Sequence, residues 1–150
     1  MEVLLKDITN EKLMKLNIEA KDWEDAVRQS AQPLIDEGKI KQSYVEDMIA
    51  GVKEVGPYIV LTKHVAFPHA RPEKGALENA IGIATLASPV EFGNKDNDPV
   101  KYLFCLSAID NNQHINALSE LAGMIEDQEF FKVLDTAKST EDIMNYIINK

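Results

Sequence analysis

Apolar positions along the chain change period several times, and each change marks an expected element. From Lys21 onward Trp23, Ala26, Val27, Leu34 and Ile35 recur at helical spacing, with acidic residues in the first turn and Gly38 as a stop. Pro33 falls inside this pattern and is expected to kink the helix. Ser43 and Glu46 have the spacing of a capping box, which opens a second helix with Val45, Met48, Ile49 and Val52 on one face until Gly56-Pro57 ends it. Ahead of both helices, residues 1–18 carry irregularly spaced apolar positions, and a short strand is expected around Lys12–Leu16.

Beyond Pro57 the runs shorten. Tyr58–Leu61 and Val65–Phe67, separated by Thr62-Lys63-His64, read as short strands or a hairpin-like pair, and Pro68 ends the second because it lacks the N–H a ladder needs. Ala70–Glu78 is expected to be a loop. Ala80–Leu86 and Val100–Ala108 are almost continuously apolar, the pattern of strands covered on both faces. The polar, proline- and glycine-bearing stretch Ser88–Pro99 between them is a surface loop. Asp110-Asn111-Asn112 then supplies capping residues for a helix that turns Ile115, Leu118, Leu121, Ala122 and Ile125 to the core and holds His114 in its first turn. Helices starting near Asp127, burying Phe130, Phe131 and Leu134, and near Ser139, burying Ile143, Tyr146 and Ile147, close the chain. Helices flanking apolar strands imply a three-layer α/β/α sandwich with a small mixed sheet.

With 150 residues the chain has the length of one domain, expected to span 1–150. A formal charge of −9 and a pI near 4.8 argue against a nucleic-acid partner, which needs a concentrated basic face, and favour a basic protein instead. The lone cysteine, Cys105, excludes an intrachain disulfide and a Cys-rich zinc site; within Tyr102–Leu106 it reads as a small buried hydrophobe. The first residues show no basic leader or cleavage segment, and no apolar run approaches the ~20 residues of a membrane span. A cytoplasmic protein with no direct membrane insertion is expected.

Candidate chemistry concentrates in His64–Glu73, which holds two of the three histidines. In a regular strand His64 and His69, an odd number apart, point to opposite faces, which leaves His64 as surface decoration. His69 emerges at a strand end, with Arg71 two residues on. His114 lies at the start of a helix that follows another strand, where the dipole disfavours imidazolium and free N–H groups can hold an anion. Strand ends of open α/β sheets are where ligands collect. A neutral His69 could attack phosphorus with one ring nitrogen while the other is held by an acceptor, and Arg71 could stabilise the equatorial oxygens. Taken singly, Arg71 is equally an exposed loop arginine and His114 a helix-start residue bonding locally.

Other chemistries fit less well. The seven glycines are scattered and form no phosphate loop, so no nucleotide cofactor is expected. The histidines lack any metal-ligand spacing, and Ser107, His69 and Asp110 can be written as a triad only without a nucleophile elbow.

Val65-Ala66-Phe67-Pro68-His69 and Asn111-Asn112-Gln113-His114-Ile115 resemble the phosphorylation-site motif and the second-histidine segment of the enzyme IIA components of the bacterial phosphoenolpyruvate-dependent sugar phosphotransferase system, mannitol/fructose superfamily. The order of elements is similar along nearly the whole chain. Pro68-His69-Ala70-Arg71-Pro72-Glu73, preceded by Gly56-Pro57-Tyr58, resembles the ascorbate-specific type most. The resemblance implies that His69 accepts phosphate from the phosphocarrier HPr and passes it to a cysteine of a IIB component, with sugar bound by the membrane IIC component. Mannitol-type members carry an arginine near the end of the preceding helix, where this chain has Ala50-Gly51-Val52-Lys53; Arg71, or else Lys53, would supply that charge. Phe67 is bulkier than the aliphatic residue usual before the proline. A regulatory phosphohistidine protein of the nitrogen-related IIA type is the alternative, and a metal-binding domain the third reading.

Overall fold

The computed structural model describes residues 5–150, so Val3 and Leu4 of the leading stretch lie outside the described residues. A short helix α1 (Leu5–Ile8) and a 3-10 turn (Glu11–Leu13) lead into β1 (Met14–Ile18), a little later than the strand expected at Lys12–Leu16. Two 14-residue helices follow, α2 (Trp23–Asp36) and α3 (Gln42–Val55). Asp22 caps α2, its side chain accepting from the Asp25 N–H, and the helix is one element through Pro33, which falls in its last turn.

The capping box expected at Ser43 and Glu46 does not form. Lys41 occupies the N-cap without a side-chain bond, Ser43 Oγ donates instead to the Lys74 carbonyl, and Glu46 takes both terminal nitrogens of Arg28 on α2. A bidentate guanidinium outcompetes a local backbone contact for that carboxylate. Next come β2 (Val60–Thr62) and β3 (Val65–Ala66), an antiparallel pair as expected, then β4 (Ala80–Val90) and β5 (Val100–Ser107). The helices α4 (Asn111–Ile125), α5 (Gln128–Thr136) and α6 (Thr140–Asn149) end the chain.

The five strands form one mixed sheet in the order β1-β4-β5-β3-β2, with β1–β4 and β3–β5 parallel and the other pairs antiparallel. Strand alternation divides the core in two. Ala80, Ala84, Leu103 and Cys105 pack with α2 and α3, whereas Ile81, Ile83, Tyr102, Phe104 and Leu106 pack with α4, α5 and α6. This is the expected three-layer sandwich. Cys105 is fully buried, and burial pushes its thiol up to about 12, in keeping with a small hydrophobe. Among the described residues no helix is long and apolar enough to cross a membrane.

The buried stripe of α4 overlaps the expected one, with Leu121 buried and Leu118 and Ile125 partly buried against the same cluster. Ala117, Leu121 and Met124 face the core, while Ile115 is 62% exposed and Ala122 is also outside.

Two contacts fix the distances between layers. A Cβ on Gly82 would lie 2.4 Å from Leu34 Cδ1 and 3.0 Å from the Leu13 carbonyl, so only hydrogen at this position lets α2 settle on β4. On the same face of the sheet the buried Tyr44 hydroxyl lies 2.8 Å from the Leu106 carbonyl and 3.0 Å from that of Ala70, tying α3 to the end of β5 and to the segment after β3. Gly82→Ala is expected to cost about 1–3 kcal/mol by overpacking, read as a lower urea midpoint at constant slope. Tyr44→Phe, which keeps the ring and removes the one hydroxyl proton the two carbonyls share, is expected to cost roughly 1–3 kcal/mol in the same assay.

Candidate functional site

The parallel β3–β5 pair makes the site. Because Val65 pairs with Tyr102 and Ala66 with Leu103, the two strands leave the sheet at the same edge, and their following segments lie side by side. The Leu106 N–H donates to the Pro68 carbonyl at 2.9 Å, extending that register one step past the strand. From β3 the chain continues through Phe67 and Pro68, both buried, to His69; from β5 it continues through the Asp110 cap into α4, where Asp110 Oδ1 accepts from the Gln113 N–H at 2.8 Å. Residues 45 apart in sequence thus end with ring centroids 5.3 Å apart, His69 against His114.

The His69 ring is held by its own strand. Nδ1 lies 2.6 Å from the Phe67 carbonyl, an oxygen that can only accept, so Nδ1 carries the proton and the neutral ring keeps its free lone pair on Nε2. Phe67 in turn is locked by stacking on Phe104 at 5.8 Å, which accounts structurally for the bulky residue before the proline. Tyr58 meets the His69 ring edge-on, with centroids 5.9 Å apart at 90°.

His114 is half-buried in the first turn of α4. Burial lowers its pKa below the usual 6.5, and the charge on a protonated His69 pushes in the same direction, so His114 is neutral near pH 7. The positive end of the α4 dipole acts likewise. Both histidines line a cleft of about 570 Å³ with Arg71, Pro72 and Asn111 on one side and the α3 residues Asp47, Ala50, Gly51 and Glu54 on another. Arg71 is exposed and makes no ion pair among the described residues, whereas Lys53 points away to Glu24 of α2, its Nζ 2.8 Å from the carboxylate. Of the two cations considered for this region, Arg71 is the one that reaches the cleft.

His64 lies elsewhere. It occupies the turn between β2 and β3 with φ of 69°, and its Nδ1 is 2.7 Å from the Pro99 carbonyl. Its separation from the site follows from that turn and not from strand alternation. Among the described residues no group of three or more His, Cys, Asp or Glu side chains could hold a metal ion.

Four cleft residues had no chemical reading from spacing alone. Asp47, Ala50, Gly51 and Glu54 recur at i, i+3, i+4 and i+7 on the flank of α3 opposite its core stripe, a pattern visible in the sequence once the helix is assigned. Tyr58 has no comparable signal, since its approach to His69 depends on the reversal at Gly56-Pro57.

Residues 7–150 match the model of the family described as phosphoenolpyruvate-dependent sugar phosphotransferase system, EIIA 2. The ascorbate-specific PTS system EIIA component of Escherichia coli strain K12 is 30% identical over 145 residues, 96% of this chain and 94% of that protein. The solution structure of the mannitol-specific cryptic phosphotransferase enzyme IIA CmtB from Escherichia coli shares the fold with a TM-score of 0.86 at 34% identity, covering 99% of this chain and 100% of that one. A chain of the Escherichia coli complex of mannitol enzyme IIA with phosphorylated enzyme IIB has the same fold at a TM-score of 0.80 and 21% identity, covering 94% of this chain and 97% of that one. A family match over almost every residue, on a mixed sheet with helices on both faces, shows that the chain belongs to the enzyme IIA family of the phosphoenolpyruvate-dependent sugar phosphotransferase system.

Proposed function

We propose that this chain is a cytoplasmic phosphoryl relay, folded as one domain over 1–150, in which His69 accepts phosphate from phospho-HPr and passes it to a cysteine of a IIB component. The uptake it feeds, through the membrane IIC component, is of an ascorbate-like sugar, a reading supported by the ascorbate-specific relative. The observation that carries the proposal is the 2.6 Å contact of His69 Nδ1 with the Phe67 carbonyl: with Nδ1–H given to that oxygen, the lone pair available to phosphorus is on Nε2. As the Nε2–P bond forms, the bond from phosphorus to its donor atom on HPr breaks and its electron pair stays with HPr. Transfer to IIB repeats the exchange, with the sulfur–phosphorus bond forming and the pair returning to Nε2.

His114 and Arg71 stabilise the phosphoryl group in transit. A neutral His114 can offer an N–H without repelling a cationic His69, and Arg71 brings a charge that no protein carboxylate neutralises among the described residues. The cleft suits a protein donor better than a small one. Val55 and Tyr58 on its wall are 74% and 39% exposed, and the acidic Asp47 and Glu54 beside them complement a basic partner.

Incubation with enzyme I, HPr and phosphoenolpyruvate is expected to add one acid-labile phosphate, and His69→Ala to abolish it; uptake by that variant at an unchanged rate would overturn the assignment. His114→Ala is expected to slow transfer to IIB roughly 10²-fold while phosphorylation stays detectable. An unchanged rate there would remove His114 from the mechanism. Genes for IIB and IIC components adjacent to this one are the expected mark of transport rather than regulation.

A further inference from the structure

Tyr58 and His114 both meet the acceptor imidazole, with ring centroids 5.9 and 5.3 Å from its own. The Tyr58 ring is perpendicular to that of His69, and its hydroxyl extends over α3 to the place where a side chain on residue 51 would begin. A Cβ at Gly51 would be 2.9 Å from that hydroxyl and 3.5 Å from the ring carbon Cε1. Gly51 lies in the last turns of α3 and has none of the positive-φ strain that commonly demands glycine, and glycine there weakens the helix relative to alanine. What the missing side chain provides is room for the phenol.

The hydroxyl is left without a protein partner among the described residues, although Tyr44, Tyr102 and Tyr146 each bond theirs to a carbonyl or carboxylate. It stays protonated, because burial and the nearby Asp47 carboxylate both raise its pKa. Tyr58 and Gly51 line the same cleft as His69, His114 and Arg71. A hydroxyl donor on the wall of the cleft that holds the acceptor imidazole, with no bond to another protein group among the described residues, is available to an incoming oxyanion.

We propose that Tyr58 is a phosphoryl-binding residue of this site, its hydroxyl donating to an oxygen of the group carried on His69 Nε2 while its ring sets the tilt of the imidazole, with Gly51 providing the space for both. This rests on the reading of His69 as the acceptor.

The test uses the full chain with enzyme I, HPr, phosphoenolpyruvate and the cognate IIB, with three readouts: the site of phosphate, the transfer rate at saturating phospho-HPr, and the ³¹P resonance of the phosphohistidine. Tyr58→Phe keeps the ring and is expected to lower the saturated rate about ten- to a hundredfold, the loss of one hydrogen bond to a charged oxygen, with an unchanged KM for phospho-HPr and a shifted ³¹P resonance. Gly51→Ala, which presses a methyl against the hydroxyl in a helix that tolerates alanine, is expected to shift the resonance with the thermal midpoint held or raised. A Tyr58→Phe protein with an unsubstituted rate and resonance, or one in which only KM rises, overturns the assignment and leaves Tyr58 as a docking contact. Phosphate found on a residue other than His69 in the unsubstituted protein overturns the underlying reading instead.

Discussion

The parallel pairing of β3 with β5 is the constraint on which the site depends. A parallel pair sends both strands out of the same edge of the sheet, so the segments that follow must meet. Neither histidine is positioned by contacts of its own length of chain alone. His69 is where it is because β3 is in register with β5 and because the Pro68 carbonyl takes the Leu106 N–H, and His114 because Asp110 caps α4 just beyond the same strand. Tyr44 binds the two exits together from beneath, with one hydroxyl within reach of the carbonyls of Ala70 and Leu106. β3 is only two residues long, so this buried polar clasp and the packing of Phe67 on Phe104 do much of what a longer ladder would do.

Charge in the cleft is divided between its walls. The chain carries −9, yet its cleft gathers two imidazoles, the positive end of a helix dipole and a guanidinium unpaired within the described residues. Two imidazoles at a centroid distance of 5.3 Å resist charging together, and the burial of His114 assigns the neutral state to it. Arg71 and the helix N-terminus are left without a paired carboxylate among the described residues, and a phosphoryl dianion suits them. Asp47 and Glu54 line the same cleft from α3, so an acidic wall suited to a basic partner stands in one cleft with the Arg71 segment suited to phosphate.

Much of this was legible in the sequence, for identifiable reasons. The long apolar strands, Asp110 as a cap, the hairpin before Pro68 and the two histidines at strand exits all follow from local chemistry, which tertiary structure left in place. What was not legible depends on contacts between elements. Glu46 leaves its expected capping role because Arg28, on another helix, binds it bidentately, and on α4 Ala117 and Met124 are buried while Ile115 is exposed. His64 was set apart by strand alternation, but a left-handed turn residue has no alternation to obey. Tyr58 was hidden for the same kind of reason, since a glycine seven residues earlier makes its place. Arg71 was preferred to Lys53 for its place two residues after His69, and in the fold it is Arg71 that lines the cleft while Lys53 pairs with Glu24.

A relay has a requirement that a phosphate-binding protein lacks: the group must leave as readily as it arrives. Binding energy that stabilises the phosphorylated protein more than the transition states on either side of it would trap the phosphate. The proposed site fits that limit in its composition. Arg71 is exposed, so its attraction is screened by solvent and cannot fix the phosphoryl group as a buried bidentate clamp would. His114 offers a neutral donor in place of a second fixed cation, and the Tyr58 hydroxyl, on the proposal above, adds another neutral one. Neutral donors hold a dianion less tightly than charged ones, yet they strengthen as negative charge develops in transit. Rigidity is spent where it does not oppose departure, on the His69 tautomer and ring plane, so in-line geometry is kept for entry and exit while the hold on the phosphate stays weak.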